Sequence, residues 1–332
     1  MSLTYESHGH AALHLARAAS LAPSPHNSQP WSFVEEGHDQ GFQLHLDDAR
    51  RMPLTDPGGR EAVIACGAAL FNVRLAVRRM GFRPAVDLLP DPGHPTCLAR
   101  VGYGIHAPAT CEEARLAAVM PQRHTHRGPF TDGPVPDPVL DELRAAALAE
   151  GIALQLVDEP ETLRLLAGLV RVGEEAHRTD IRHAAELRRY VGPYGIPAQA
   201  CRNHPDGTLL VGRDYLRQAP WRYVRRPERW SPRTGTVALL TSRHDSRQDW
   251  LRSGQALQRL LLHAAGHQVM AAFHTQPLEL PALRTRIRTL ITGGQYPQVI
   301  LRLGRTTELW RTPRLRAADL LTRADASSRW WP

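Results

Sequence analysis

Two short stretches, one in each half of the chain, resemble each other, and this internal repeat constrains the fold more than any other feature. Gly67-Ala-Ala-Leu70 corresponds to Gly254-Gln-Ala-Leu257, and each stretch lies in a long segment with apolar residues at helical spacing. A strand pattern follows each segment and ends in a similar tripeptide, Arg100-Val101-Gly102 and Arg302-Leu303-Gly304. The sequence therefore predicts a duplicated α/β unit, with two helix-rich halves about a pseudo-twofold axis and the two long helices at the centre. The alternative is a chance match, since short identities also arise between unrelated segments.

The periodicity of apolar residues and the positions of proline and glycine predict the elements of both halves. They indicate helices over 11–22, 60–81, 137–149, 248–266 and 281–290, and strands over 31–34, 42–46, 98–104, 152–157, 236–241 and 298–303. Residues 174–235 are crowded with arginine, proline, glycine and aromatic residues and show few periodic apolar positions. We interpret this stretch as an insertion that lies over a surface of the protein.

The sequence contains no lysine, so its 41 lysine-plus-arginine residues are all arginine. This excludes a Schiff-base lysine and a Walker A phosphate loop, whose lysine reaches the terminal phosphates. A net charge of +8 invites a nucleic-acid interpretation. However, arginine stands where other proteins use lysine, so many of these charges belong to ordinary solvated surface residues. We therefore expect no nucleic-acid partner.

The four cysteines, Cys66, Cys97, Cys111 and Cys201, are far apart and form no Cys-x-x-Cys motif. This spacing is typical of reduced thiols in the cytoplasm rather than of a disulfide framework. The longest apolar run, residues 62–71, is shorter than the ~18 residues that a membrane span requires. We therefore expect a soluble, cytoplasmic protein with no membrane contact.

The segment Ala22-Pro-Ser-Pro-His-Asn-Ser-Gln-Pro-Trp31 is a loop stiffened by three prolines. It carries short hydrogen-bonding side chains, among them Ser24 and Asn27. Such a rigid polar loop can recognise the edge of a planar heteroaromatic ligand at little cost in ordering entropy. The alternative is an ordinary turn.

The segment Gln122-Arg-His-Thr-His-Arg127 places two arginines four residues apart with Thr125 between them. Two guanidinium groups and a hydroxyl could bind a phosphomonoester. The alternative is a metal site, because His124-x-His126 has the alternation of a ligand pair on a strand. Flanking arginines repel a cation, so we expect no metal. The Gly-x-Gly-x-x-Gly and Gly-x-Ser-x-Gly motifs are both absent, which argues against a Rossmann domain and a serine hydrolase.

These two segments resemble motifs of one family. Residues 22–33 resemble the Pro-Ser-x-x-Asn-x-Gln-Pro-Trp signature of FMN-dependent nitroreductases, and Arg123-His-Thr-His-Arg127 resembles their Arg-x-Ser-x-Arg phosphate motif. Residues 56–74, together with the length and the insertion, are similar to the Acg-type branch. The resemblance implies an α+β, nitroreductase-like fold, internally duplicated as a fused pseudo-dimer, with a lid formed by residues 174–235.

The chain departs from the family pattern because each half keeps one motif. Residues 1–110, the first predicted half, carry the Pro-Trp loop but no arginine pair, whereas residues 111–332 carry the arginine pair but no Pro-Trp loop. In the family these two elements come from opposite protomers around one flavin. The resemblance therefore implies a monomeric fused dimer that retains one complete FMN site.

The resemblance also assigns the residues of that site. Ser24 and Asn27 would reach the isoalloxazine or ribityl atoms, and Arg314 would add to the phosphate site. The backbone at Phe273 and His274 would direct an N–H towards flavin N5, while Arg188 or Arg189 are candidates for the group near N1 and O2. The full predicted cofactor-binding set is Ser24, Asn27, Arg123, His124, Thr125, Arg127, Phe273, His274 and Arg314. No catalytic side chain and no metal ligand are expected.

Three functions are compatible with this site. The first is hydride transfer from NAD(P)H through FMN to a nitroaromatic, a quinone or a similar small acceptor. The second is sequestration of FMN under a closed lid, with little turnover. The third is a flavin-dependent dehydrogenase of a biosynthetic pathway. The sequence does not choose among them.

Overall fold

A computed structural model describes residues 8–37, 39–131, 133–193, 195–201, 208–215 and 232–323. The helices are α1 (His10–Ser20), α2 (Arg60–Arg79), α3 (Cys111–Val119), α4 (Asp137–Leu148), α5 (Pro160–Thr179), α6 (Ile181–Arg188), α7 (Arg247–Gly266), α8 (Pro281–Leu290) and α9 (Ala317–Leu320). The strands are β1 (Trp31–Glu36), β2 (Gly41–Leu46), β3 (Phe82–Leu88), β4 (Cys97–His106), β5 (Ala153–Leu156), β6 (Thr236–Ser242), β7 (Met270–Phe273), β8 (Tyr296–Gly304) and β9 (Leu321–Arg323). None of these described helices is long and apolar enough to cross a membrane.

The two sheets share one topology. The first has the order β3-β4-β2-β1 and the second has the order β7-β8-β6-β5. Every neighbouring pair in both orders is antiparallel. In each unit a helix precedes the first strand, and a long helix separates the second strand from the third. The fold is therefore α+β with two units of equivalent topology, which is the arrangement that a duplicated chain predicts.

The C-terminal segment joins the two units. Strand β9 pairs in parallel with β1, with Phe33 opposite Leu321, so it adds a fifth strand to the first sheet. The chain thus returns from the second unit to the first, and residues just before β9 lie against the loop that precedes β1.

Helices α2 and α7 cross at the centre of the molecule, and the repeated glycines lie at the crossing. A Cβ atom on Gly67 would be 2.2 Å from the carbonyl oxygen of Leu251, and one on Gly254 would be 1.9 Å from that of Ile64. Real Cβ contacts are never this short, so each position needs glycine. The sequence repeat therefore has a physical cause, which is the close approach of two helix backbones.

The cores of the two units lie on either side of this helix pair. Trp31 and Phe33 on β1 and Leu70 on α2 are fully buried in the first core. Leu143 on α4 and Leu301 on β8 are fully buried in the second. Each core packs its unit against the central helix pair.

Several elements were not predicted. Strand β3 alternates half-buried and exposed residues and contains Pro84, so it lacks an apolar run. Strand β7 has four residues, too few for a periodic signal. Helices α3 and α5 were also missed, and the predicted irregular insertion over 174–235 is wrong in its first part, because residues 174–179 continue α5 and α6 follows directly. Residues 202–207 and 216–231 of the insertion lie outside the described residues.

Candidate functional site

A cavity of about 1060 Å³, its open mouth included, lies between the two units. Clefts between two units are a preferred place for small-molecule and cofactor sites. The first unit contributes residues 23–26 and part of α2, and the second contributes β7, β8 and residues 125–127. Residues 200–201, 212–213 and Tyr215 of the predicted lid complete the wall.

The loop before β1 is strained where it meets the cavity. His26, Asn27 and Gln29 have positive φ values of 51°, 62° and 50°, although none of them is glycine. The Gln29 N–H donates to Ser24 Oγ at 2.9 Å, and the Gln29 amide oxygen accepts from the Leu315 N–H at 3.0 Å. Strain of this kind persists where surrounding contacts over-determine the backbone, and it is concentrated at ligand sites.

Ser24 lines the cavity, whereas the side chain of Asn27 is occupied elsewhere. Asn27 is buried, and its amide nitrogen donates to the carbonyl of Pro313 at 2.9 Å. Its amide oxygen accepts from Arg314 Nη1 at 2.5 Å. Asn27 therefore holds the C-terminal segment against the loop and does not line the cavity.

Three arginines with unused donors lie close to one another, and Arg127 lines the cavity, whereas Arg123 and Arg314 do not. The buried atoms Arg123 Nε and Nη1, Arg127 Nη1 and Arg314 Nε have no hydrogen-bond partner among the described residues. Burial, together with the charges of Arg314 and Arg127, lowers the pKa of Arg123 to about 9. Burial and the charge of Arg127 lower the pKa of Arg314 to about 10. No salt bridge of the described residues includes any of the three, so the cluster is suited to a polyanionic group.

The arginine motif is attached to the second sheet. Thr125 forms a parallel bridge with Ala271 of β7, and the His126 N–H donates to the carbonyl of Ala271 at 2.8 Å. This attachment brings Thr125 and Arg127 to the cavity wall. His124 does not line the cavity, because its imidazole folds back to the carbonyl of Gln122, with Nδ1 at 2.5 Å from the oxygen.

Phe273 and His274 both line the cavity but differ in their backbone bonds. The His274 N–H donates to the carbonyl of Ile300 at 3.0 Å and is not free for a ligand. Phe273 is the preceding residue and the last of β7. In the antiparallel register its N–H points away from β8. The His274 imidazole accepts from Arg302 Nε at 2.7 Å and lies 3.1 Å from the carbonyl of Val211, while burial lowers its pKa well below the usual value. His274 is therefore a neutral structural residue.

Arg213, within the predicted lid, is a further basic residue on the cavity wall. The candidates Arg188 and Arg189 are both exposed and do not line the cavity, so that assignment is wrong. Although burial opposes its charge, the Glu279 carboxylate raises the pKa of Arg213. Arg213 lies in a stretch without periodicity, where no sequence signal indicates which residues fold back to a site.

His26, Tyr215 and Glu61 were also not predicted as site residues. Tyr215 of the predicted lid contacts His26 of the loop, with the hydroxyl 3.0 Å from Nδ1 and the rings at 74°. His26 could have been found, since it lies inside the Pro-Trp motif. Glu61 could have been found as an acidic residue in the first turn of a long buried helix.

His177, His183 and Glu279 place ligand atoms within 4.8 Å of one another, and they are the group of described residues that could hold a metal. His124 and His126 do not belong to this group. Arg213 already contacts Glu279, and its charge repels a cation. Burial, Arg213 and the neighbouring imidazole lower the pKa of His177 to about 2. Arg213 therefore neutralises Glu279, and both imidazoles are neutral.

No family model matches the chain. A protein of Mycobacterium tuberculosis provisionally named NAD(P)H nitroreductase Acg is 32% identical over 304 residues, which cover 89% of each chain. The chain belongs to the Acg-type branch of the nitroreductase superfamily. A second M. tuberculosis protein, also provisionally named an NAD(P)H nitroreductase, is 29% identical over 293 residues and covers 86% of this Acg-type chain and 82% of its own.

Two solved structures resemble the fold more distantly. A provisionally assigned nitroreductase from Desulfovibrio desulfuricans, solved with FMN, gives a TM-score of 0.37 at 14% identity and covers 63% of this chain and 96% of its own. A nitroreductase from Bacteroides fragilis, also solved with FMN, gives a TM-score of 0.37 at 12% identity and covers 60% of this chain and 94% of its own.

Proposed function

We propose that this chain binds FMN between its two units and uses it to pass electrons from NAD(P)H to a small acceptor such as a quinone or a nitroaromatic. The observation that carries the proposal is the cluster of Arg123, Arg127 and Arg314, with buried donors that no described carboxylate satisfies. A phosphate supplies the missing acceptors and charge. The name of the Acg relative, a nitroreductase that uses NAD(P)H, agrees with this proposal.

The residues of the site fit a flavin. The three arginines and Thr125 would bind the phosphate, and the apolar side chains of Ile64, Leu257 and Val299 would face the ring. Ser24 and the Phe273 N–H would meet the polar edge of the ring. Bound FMN supplies two-electron chemistry, and the protein supplies its position and an environment of low water content. Of the two backbone positions that the resemblance implies for the contact with flavin N5, Phe273 and His274, we assign the role to the Phe273 N–H, because the His274 N–H donates to Ile300.

We infer one FMN site per chain, as in a fused dimer that has lost its second site. Residues 21–30 connect the first helix of unit one to β1 and form the strained loop. In unit two, residues 149–152 make the equivalent connection between α4 and β5 as a tight turn with no room for such a loop. The equivalent position therefore lacks the side chains that would contact a second flavin.

One observation favours the sequestration function as a second candidate. Ala200, Cys201, Gly212 and Tyr215, all within the predicted lid, form part of the cavity wall. The contact between Tyr215 and His26 connects this wall to the loop. A wall of this kind would prevent a nicotinamide from stacking on the flavin.

Anaerobic mixing of the FMN-loaded protein with NADPH distinguishes the two candidates. Rapid loss of the flavin absorbance supports the oxidoreductase. If dithionite reduces the flavin but neither NADPH nor NADH does, the sequestering protein is supported instead. Protein that retains no FMN after dialysis contradicts both candidates.

A further inference from the structure

Glu61 lies in the first turn of α2, and its side chain reaches the cavity. Among the described residues that line the cavity, Glu61 is the one with an acidic side chain. Its neighbours on the wall are Gln298 of β8, Arg213 and the pair formed by His26 and Tyr215. A buried carboxyl group is costly unless it is neutral or paired, and Glu61 is paired through one oxygen, by a salt bridge with Arg60.

The contacts of Glu61 leave one carboxyl oxygen available. Oε1 accepts from Arg60 Nη2 at 2.9 Å, and Arg60 is itself fixed by donation from Nη1 to the carbonyl of Gln298 at 2.6 Å. The described residues provide no hydrogen-bond partner for Oε2, which is not among the fully enclosed unpaired atoms. The carboxyl group is therefore held in place with one oxygen accessible from the cavity.

We propose that Glu61 is a catalytic residue, the acid that donates a proton to the acceptor when the acceptor is reduced. This inference rests on the proposed oxidoreductase function. NAD(P)H is the reductant, and the acceptor receives two electrons and one hydrogen as a hydride through the flavin. The O–H bond of Glu61 breaks as an O–H bond forms on the acceptor, which converts a quinone into a hydroquinone. The carboxylate then takes a proton from water.

The charges around Glu61 allow a proton to be held and released near neutral pH. Burial raises the pKa of Glu61 to about 7. Arg60 on the same helix lowers it, Asp56 in the preceding loop raises it, and Arg213 of the cavity wall and Arg284 of α8 lower it. General acids act best when their pKa is close to the working pH.

Other titratable groups on the cavity wall are less suited to this role. Burial lowers the pKa of His26 well below its usual value, so its imidazole is neutral. Burial raises the pKa of Cys201 to about 11, and it also raises the pKa of Tyr215. These groups neither gain nor lose a proton readily at pH 7.

The test uses the FMN-loaded protein and the variant Glu61→Gln, which keeps the shape but cannot donate a carboxyl proton. Reduction by NADPH and re-oxidation by a benzoquinone are followed separately by stopped flow. We expect re-oxidation to slow by about 100-fold or more, with reduction changed by less than about twofold. The wild type should re-oxidise more slowly above pH 7, and the variant should lose this pH dependence. Glu186→Gln is the control, because Glu186 is buried against Thr55 outside the cavity.

Infrared titration gives a readout independent of turnover. Burial also raises the pKa of Glu279, to about 8, so the wild type and Glu186→Gln should show the carbonyl stretches of two protonated carboxyl groups that disappear as the pH rises through neutrality, and Glu61→Gln should show one. Glu61→Asp, which keeps an acid, should recover part of the re-oxidation rate. The proposal is overturned if Glu61→Gln re-oxidises with the wild-type rate and pH profile, or if its carbonyl band is the same as that of the wild type. A wild-type protein that binds FMN but is not reduced by NADPH would contradict the oxidoreductase function instead.

Discussion

The amide oxygen of Asn27 and the guanidinium of Arg314 are 2.5 Å apart, although 287 positions separate the two residues in the chain. The contact ties the C-terminal segment to the strained loop of the first unit. Arg314 also donates to Thr312 Oγ1 at 2.6 Å and, at 3.4 Å each, to the carbonyls of Pro313 and Ala22, so four acceptors position its side chain while Nε remains unpaired. We therefore expect Asn27 to position Arg314 for an anion rather than to bind the cofactor itself.

This relationship predicts that Asn27→Ala and Arg314→Ala are not additive. Each variant should weaken FMN binding, because one removes the phosphate ligand and the other removes its support. The double variant should bind FMN about as well as Arg314→Ala alone, which gives a coupling of about 0.5–3 kcal/mol in a double-mutant cycle. Fluorescence titration with FMN measures the four affinities. Additive losses would show that Asn27 contacts the cofactor independently.

Substitution of the arginine motif should release the cofactor. Arg123→Ala or Arg127→Ala removes a charge-assisted hydrogen bond worth about 1.5–3 kcal/mol, which lowers FMN affinity by tenfold or more. Arg311→Ala is the matched control, because Arg311 is near Arg314 in sequence but exposed. FMN content after dialysis is the measurement. Retention of FMN by both motif variants would contradict the assignment of these arginines to the phosphate site.

The crossing of α2 and α7 predicts opposite effects for glycine substitutions in different helices. Gly67→Ala or Gly254→Ala places a methyl group against backbone atoms, and we expect a loss of about 1–3 kcal/mol or more in the free energy of unfolding. Gly168→Ala in α5 meets no atom within 4 Å and should be neutral or stabilising by about 1 kcal/mol. Urea unfolding gives both values. Equal effects at Gly67 and Gly168 would contradict the close helix contact.

The sequence was sufficient for the central part of this fold. The two central helices, α2 and α7, could be predicted because apolar residues recur at helical spacing, and α8 has the predicted bounds. The glycine repeat also indicated which helices are equivalent. Strands β3 and β7 could not be predicted, since one is half-exposed and the other has four residues.

The site was predictable only where local motifs specify it. The two motifs located Ser24, Thr125 and Arg127 on the cavity wall. Arg213 and Tyr215 could not be located, because tertiary contacts rather than a local pattern bring their segment to the cavity. The role of Asn27 also depends on a partner at the other end of the chain.

The histidine pair predicts a loss of stability in acid. Burial first, and then the charge of Arg213, lower the pKa of His183 to about 4, and the pKa of His177 is lowered to about 2. In the unfolded chain the two imidazoles bind protons below pH 6.5, whereas in the folded protein they stay neutral to a lower pH. The stability from neutral imidazoles is therefore complete above pH 6.5 and decreases as the pH falls towards 4. Urea midpoints between pH 7.5 and 4.5 measure the decrease, which should be smaller in His183→Gln. The same slope in both proteins would contradict this origin.

The last prediction is that each chain binds one FMN. Arg127 of the arginine cluster and residues 23–26 of the loop line one cavity, and the equivalent connection in the second unit, residues 149–152, is a turn without such side chains. A phosphate at the equivalent position would lack charge-assisted bonds and would not be held at micromolar concentration. Denaturation of a saturated sample, followed by measurement of released FMN against peptide concentration, should give about one flavin per chain. A ratio near two would contradict the loss of the second site, and a ratio near one half would indicate a site shared between chains.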